Sequence, residues 1–140
     1  MLEKCVAQRK MVKDFFYSNY VTTTGNNNEE LSTPGIYCSD TFKLLDAILL
    51  AKSNENDTNF IAKISIDSGM GSLKICVQIL DERDIIQEPV IIVALADVPE
   101  TQAVIEQMFD EIDLLADLES LKTIYNIRVV FCQGLKWNKK

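Results

Sequence analysis

Residues 60–80 constrain the fold more than any other stretch of the chain. Phe60, Ala62, Ile64 and Ile66 alternate with Ile61, Lys63, Ser65 and Asp67. Leu73, Ile75, Val77 and Ile79 alternate with Ser72, Lys74, Cys76 and Gln78. A period of two puts each set on one side of an extended strand, so both segments read as β-strands. Between them stands Ser68-Gly69-Met70-Gly71, whose glycines supply the positive φ that a tight turn needs. The expected product is an antiparallel hairpin with Asp67 ending its first strand and Lys74 near the start of its second.

The flanking segments extend that hairpin. Asp81 to Asp84 form a polar turn, and Pro89 opens the apolar run Val90–Ala96, which lacks alternation and so reads as a strand buried on both faces. Pro99 and Glu100 suit a helix start, with Val104, Ile105, Met108, Phe109, Ile112 and Leu115 as its apolar stripe. Ile127 to Phe131 make a last strand, ended by Gly134. From residue 60 the order is strand, strand, strand, helix, strand, and the helical crossover favours parallel pairing of the last strand. Upstream, Ser39 or Asp40 caps a helix through residues 41–53. Residues 21–35 are rich in Thr, Asn, Ser and Gly and read as a polar linker. Residues 2–18 have the spacing of an amphipathic helix. The expectation is an α/β fold with a mixed, roughly four-stranded sheet. It divides into an N-terminal helix and linker at 1–35 and an α/β core at 36–140.

Composition removes whole classes of chemistry. The chain has 140 residues and no histidine, which excludes Ser-His-Asp and Cys-His catalysis and an imidazole base. Its four cysteines, Cys5, Cys38, Cys76 and Cys132, form no C-x-x-C pair, so the common zinc spacings are absent. Cys76 and Cys132 fall on strands and are expected in the core, whereas Cys38 follows a loop and is the thiol expected to be exposed. Neither a GxGxxG nor a GxxxxGK[ST] motif occurs. The first ten residues have no apolar signal region, and no apolar run is long enough for a membrane span. The expected setting is intracellular, cytoplasmic or nuclear, with reduced thiols and no membrane partner. Fourteen basic against 21 acidic residues give a net charge of −7, which leaves no general nucleic-acid footprint. Two local basic segments offer weak nucleic-acid contact: the N-terminal helix with Lys4, Arg9, Lys10 and Lys13, and the C-terminal tail with Lys136, Trp137, Lys139 and Lys140.

The hairpin also holds the one constellation with chemical promise: Asp67, then Gly69 and Gly71, then Lys74. An Asp beside Gly ordinarily accepts hydrogen bonds from turn amides. Two architectures begin in a similar way. In sugar kinases and actin-like ATPases an Asp-x-Gly hairpin wraps phosphates through backbone N–H groups, but those folds need two halves and 140 residues cannot hold both. The other is the ribonuclease H-like fold. The stretches Ile36-Tyr37-Cys38-Ser39-Asp40, Ile64 to Lys74 and Gly134-Leu135-Lys136 resemble proteins of invertebrate mobile elements with ribonuclease H-like, transposase-type cores. That resemblance covers roughly 100 residues. It implies three antiparallel strands, a helix and a parallel fourth strand, with carboxylates on the first and fourth strands holding two divalent metals.

Here the fourth strand ends in Cys132-Gln133-Gly134-Leu135-Lys136, without the expected acid. The chain also stops before an element that carries a third carboxylate. The resemblance therefore implies a truncated or degenerate copy without catalysis and without a cofactor. A small acidic interaction module or dimer, using an exposed sheet edge, is the alternative. A second alternative is a Mg²⁺-dependent nuclease in which Asp67 is catalytic and metal-binding together with Asp97 or Asp81, and Gly69, Gly71 and Lys74 bind the cofactor.

Overall fold

The computed structural model describes residues 15–25, 27–53, 59–82 and 89–132. Its six strands are β1 (Phe16–Thr24), β2 (Glu30–Cys38), β3 (Asn59–Asp67), β4 (Leu73–Asp81), β5 (Ile91–Ala96) and β6 (Asn126–Cys132). The helices are α1 (Thr41–Lys52) between β2 and β3, then α2 (Gln102–Ile112) and α3 (Leu114–Leu121) between β5 and β6. All six strands join one mixed sheet in the order β1-β2-β5-β4-β3-β6. Pairing is antiparallel from β1 across to β3, and β6 lies parallel to β3. The α/β class, the hairpin, the third strand, the helical crossover and the parallel last strand all follow the sequence expectation.

The period-two pattern decides which side of the sheet is the core. Phe60, Ala62 and Ile64 of β3 are buried, as are Leu73, Ile75, Val77 and Ile79 of β4. They face the helical layer, where Leu45, Leu49, Met108, Leu114, Leu118 and Leu121 are buried too. Helix α1 packs on α3 and β4, and α2 packs on β1, β2 and β5. Asp40 caps α1 by accepting the Lys43 amide at 2.9 Å, and Thr101 caps α2 by accepting the Val104 amide at 3.3 Å. The buried Thr41 hydroxyl lies between two acceptors, the Ile112 carbonyl at 3.1 Å and the Asp117 carboxylate, and so ties α1 to the junction of α2 and α3.

The N-terminal region departs from expectation. The linker expected at 21–35 is strand: β1 and β2 pair from Phe16↔Cys38 to Thr24↔Glu30, and β2 continues into the sheet through Gly35↔Ala96 to Tyr37↔Ala94. Polar composition suggested a loop, yet Thr is a good strand former and only one side of this hairpin meets the helices. Val21 and Tyr37 are its buried anchors, and a side chain at Gly35 would meet the Tyr37 hydroxyl at 3.0 Å and its ring at 3.2 Å. Phe16, Tyr17 and Ser18, expected as a helix end, begin β1, and the rest of the expected N-terminal helix, residues 2–14, lies outside the described residues. No helix among the described residues is long and apolar enough to cross a membrane.

Candidate functional site

Strand direction gathers the expected site residues at one end of the sheet. β3, β5 and β6 run parallel to one another, so their carboxyl ends emerge together, which is where open α/β sheets place ligands. Asp67 ends β3, Cys132 ends β6, and Asp97 follows β5. Lys74 enters β4 directly opposite Asp67 and beside Leu95.

The turn joining β3 to β4 is a single 3-10 turn, Gly69–Gly71, with Gly71 at φ +80°. A side chain at Gly71 would be strained there whatever space it met. Its polar groups are bonded to one another. Asp67 Oδ1 accepts the Gly69 amide at 3.1 Å. Lys74 Nζ donates to the Gly69 carbonyl at 3.2 Å, and the Ser72 amide donates to the same carbonyl at 3.4 Å. Ser68 Oγ donates to Glu100 Oε1 at 2.6 Å, fastening the turn to the segment ahead of α2. Asp97 points its Oδ1 toward the open side of Gly71. The structure thus brings Asp67, Gly69, Gly71, Lys74 and Asp97 into one neighbourhood and adds Ser68 and Glu100, which the sequence did not single out. The Pro99-Glu100 helix-start pattern marked the segment but not its partner.

Asp81 is elsewhere. It pairs with Phe60 at the opposite end of the hairpin, seven residues along β4 from Lys74 and hence about 24 Å from Asp67 at ~3.4 Å per residue. A metal shared by Asp67 and Asp81 is therefore ruled out. At the turn itself Asp67 accepts the Gly69 amide with one oxygen, and Lys74 places its ammonium on the Gly69 carbonyl. Hard cations need several oxygen ligands each. Among the described residues no group of three or more His, Cys, Asp or Glu side chains is placed to hold a metal ion. The Gly69 N–H, an amide that a phosphate cradle would use, is taken by Asp67.

Two of the described thiols are withdrawn from nucleophilic chemistry by burial. Cys38, expected to be exposed, is buried, and so is Cys76; burial pushes both thiols above their ordinary pKa and away from the reactive thiolate. Cys132, expected as a core residue, is the last residue of β6 and is exposed. The two basic segments proposed for nucleic-acid contact, in residues 2–13 and 136–140, lie outside the described residues.

A second polar cluster lies where β1 meets α2. The Tyr17 hydroxyl donates to Glu111 Oε2, and Asn19 Nδ2 donates to the same oxygen at 3.0 Å. Gln107 binds both backbone groups of Thr22, donating Nε2 to the carbonyl at 2.7 Å and accepting the amide at 3.0 Å. Comparison with protein-family models, with curated proteins and with solved structures gives no match.

Proposed function

We propose that this chain is a non-catalytic α/β domain of the ribonuclease H-like type, derived from a mobile element, that retains the fold without the metal chemistry. The observation that carries this reading is the bonding of Asp67 inside its own turn: the carboxylate that the resemblance would give to a metal is held by the Gly69 amide beside the Lys74 ammonium. The strand order β5-β4-β3-β6, antiparallel through the first three and parallel at the last, is compatible with that resemblance. The position where it calls for a second acid reads Cys132-Gln133-Gly134. The test is cleavage of supercoiled plasmid in Mg²⁺ and in Mn²⁺, with Asp67→Asn as the partner measurement. The expected result is no cleavage above background by either protein. Metal-dependent nicking that disappears in Asp67→Asn would overturn the reading and restore Asp67 with Asp97 as a nuclease pair.

A second reading, a small interaction module working through a sheet edge, is compatible with the first. The two edges of the sheet favour it because they are finished differently. Side chains of α2 and of β1 itself take up the Thr22 N–H and carbonyl and the Tyr20 N–H of β1, whereas no described strand lies beyond β6.

A further inference from the structure

The face of the sheet turned away from the helical layer is apolar too. On β4 the side chains of Leu73, Ile75, Val77 and Ile79 point into the core, so those of Lys74, Cys76, Gln78 and Leu80 point to the opposite face. Strand register carries that face across the sheet: Ile36 of β2 pairs with Leu95 of β5, Leu95 with Lys74, and Ile92 with Cys76. Toward the other edge, Leu80 pairs with Ile61 of β3. The apolar run of β5 calls for cover on both of its faces, and the described helices cover one. Ile36 and Ile92 are 48% and 39% exposed, a patch of the kind that marks an unfilled contact. Cys76 and Gln78 lie on the same face and are only 5% and 8% exposed. Cys76 does not belong to the core cluster in which the described helices bury their side chains.

We infer that residues 2–14 of this chain, outside the described residues, are the second layer, lying across this face over β2, β5 and β4 with their apolar side on Ile92, Leu95 and Cys76. The point of entry fits. The Phe15 carbonyl accepts the Ser39 amide at 2.6 Å, which starts β1 beside the end of β2. The reach fits as well. Thirteen residues span about 20 Å as a helix at ~1.5 Å per residue. From β1 to β4 there are three strand spacings, about 14 Å at ~4.8 Å each. The sequence supplies the surface: at helical spacing Leu2, Cys5, Val6 and Val12 share one side, and Glu3, Lys4, Lys10 and Asp14 stand on the other. Cys76 and Gln78 are buried within a single chain, which favours a segment of that chain over a second copy. The inference goes beyond both functional readings and depends on neither.

The test is paramagnetic broadening of amide NMR signals in the full 140-residue chain. A nitroxide is placed on Lys10→Cys in a chain that also carries Cys5→Ala and Cys132→Ser; Cys38 and Cys76 are buried and stay unlabelled. Broadening is expected at the amides of Ile36, Ile92, Leu95 and Cys76 and not at those of α2 and α3. Adding Val6→Asp and Val12→Asp to the labelled chain is expected to abolish it, while the amide shifts of α2 and α3 stay in place. Broadening confined to the residues next to Phe15, broadening over α2 and α3, or broadening that survives the two aspartates would each overturn the inference. So would broadening of an isotope-labelled chain without nitroxide when it is mixed with the nitroxide-bearing one, since the occupant would then be a second copy. Alkylation of the natural thiols gives an independent reading. Cys132 is expected to react quickly and Cys76 slowly, and the two aspartates are expected to speed Cys76 about tenfold or more as its cover opens. A Cys76 rate that the two aspartates leave unchanged would also overturn the inference.

Discussion

Tyr17 and Glu111 carry the clearest residue-level consequence of the fold. The phenol is pushed above its ordinary pKa by burial first and then by its bond to the Glu111 carboxylate. Glu111 is held below the usual carboxylate range by its bonds from Tyr17 and Asn19. A carboxyl whose folded pKa is depressed contributes stability above its unfolded pKa near 4.3 and loses it as pH falls through the folded value. A phenol whose folded pKa is raised contributes below its unfolded value near 10 and loses it as pH rises through the folded one. The clasp therefore works between those limits. Tyr17→Phe is expected to cost about 1 kcal/mol at pH 7, with a deficit that shrinks below about pH 4 as Glu111 takes up a proton. Urea unfolding of both proteins from pH 3 to pH 8 measures it, and a deficit that does not change with pH would contradict this account of the contact. None of it was legible in the sequence, because Tyr17 and Glu111 are 94 positions apart. Asp67, Gly69, Gly71 and Lys74 were legible because a hairpin makes their meeting local. The bond from Ser68 to Glu100, 32 positions away, was not.

Elements were legible wherever hydrophobic periodicity was strong. β3 and β4 alternate without a break, β5 is a bounded apolar run, and α1 has both a cap and an apolar stripe, so all four lie within a residue or two of expectation. The first hairpin was missed because most of its side chains are polar, and its buried anchors, Val21 and Tyr37, do not make a pattern. The long helix expected after Pro99 is in fact two, and Asp113 is the reason. It sits at φ 52°, ψ 25°, in the left-handed region, ending α2 and opening α3 without capping it. An L side chain there is strained, and the glycine that usually ends a helix is absent. Asp113→Gly is expected to be more stable than Asp113→Ala by about 1 kcal/mol, read from urea midpoints. Equal stability of the two variants would mean that the backbone at 113 does not hold this conformation in solution.

At the scale of the molecule, topology gathers polar residues at one end of the sheet. Three parallel carboxyl ends bring Asp67, Asp97 and the turn of Gly69–Gly71 together. The hydrogen bonds that follow tie the polar groups to one another: Asp67 to the Gly69 amide, Lys74 to the Gly69 carbonyl, Ser68 to Glu100. The sequence located this end of the sheet and could not show its bonding, which depends on β5 and the segment before α2 folding back beside the hairpin. The most direct test is a Mg²⁺ titration of the isotope-labelled chain followed by amide NMR shifts. Diffuse, unsaturated shifts over the acidic surface of α2 and α3 are expected, with the Asp67, Gly69 and Asp97 amides unmoved. Localised shifts at those three amides that saturate below about 1 mM, an affinity reached only with several oxygen ligands, would contradict a non-catalytic domain.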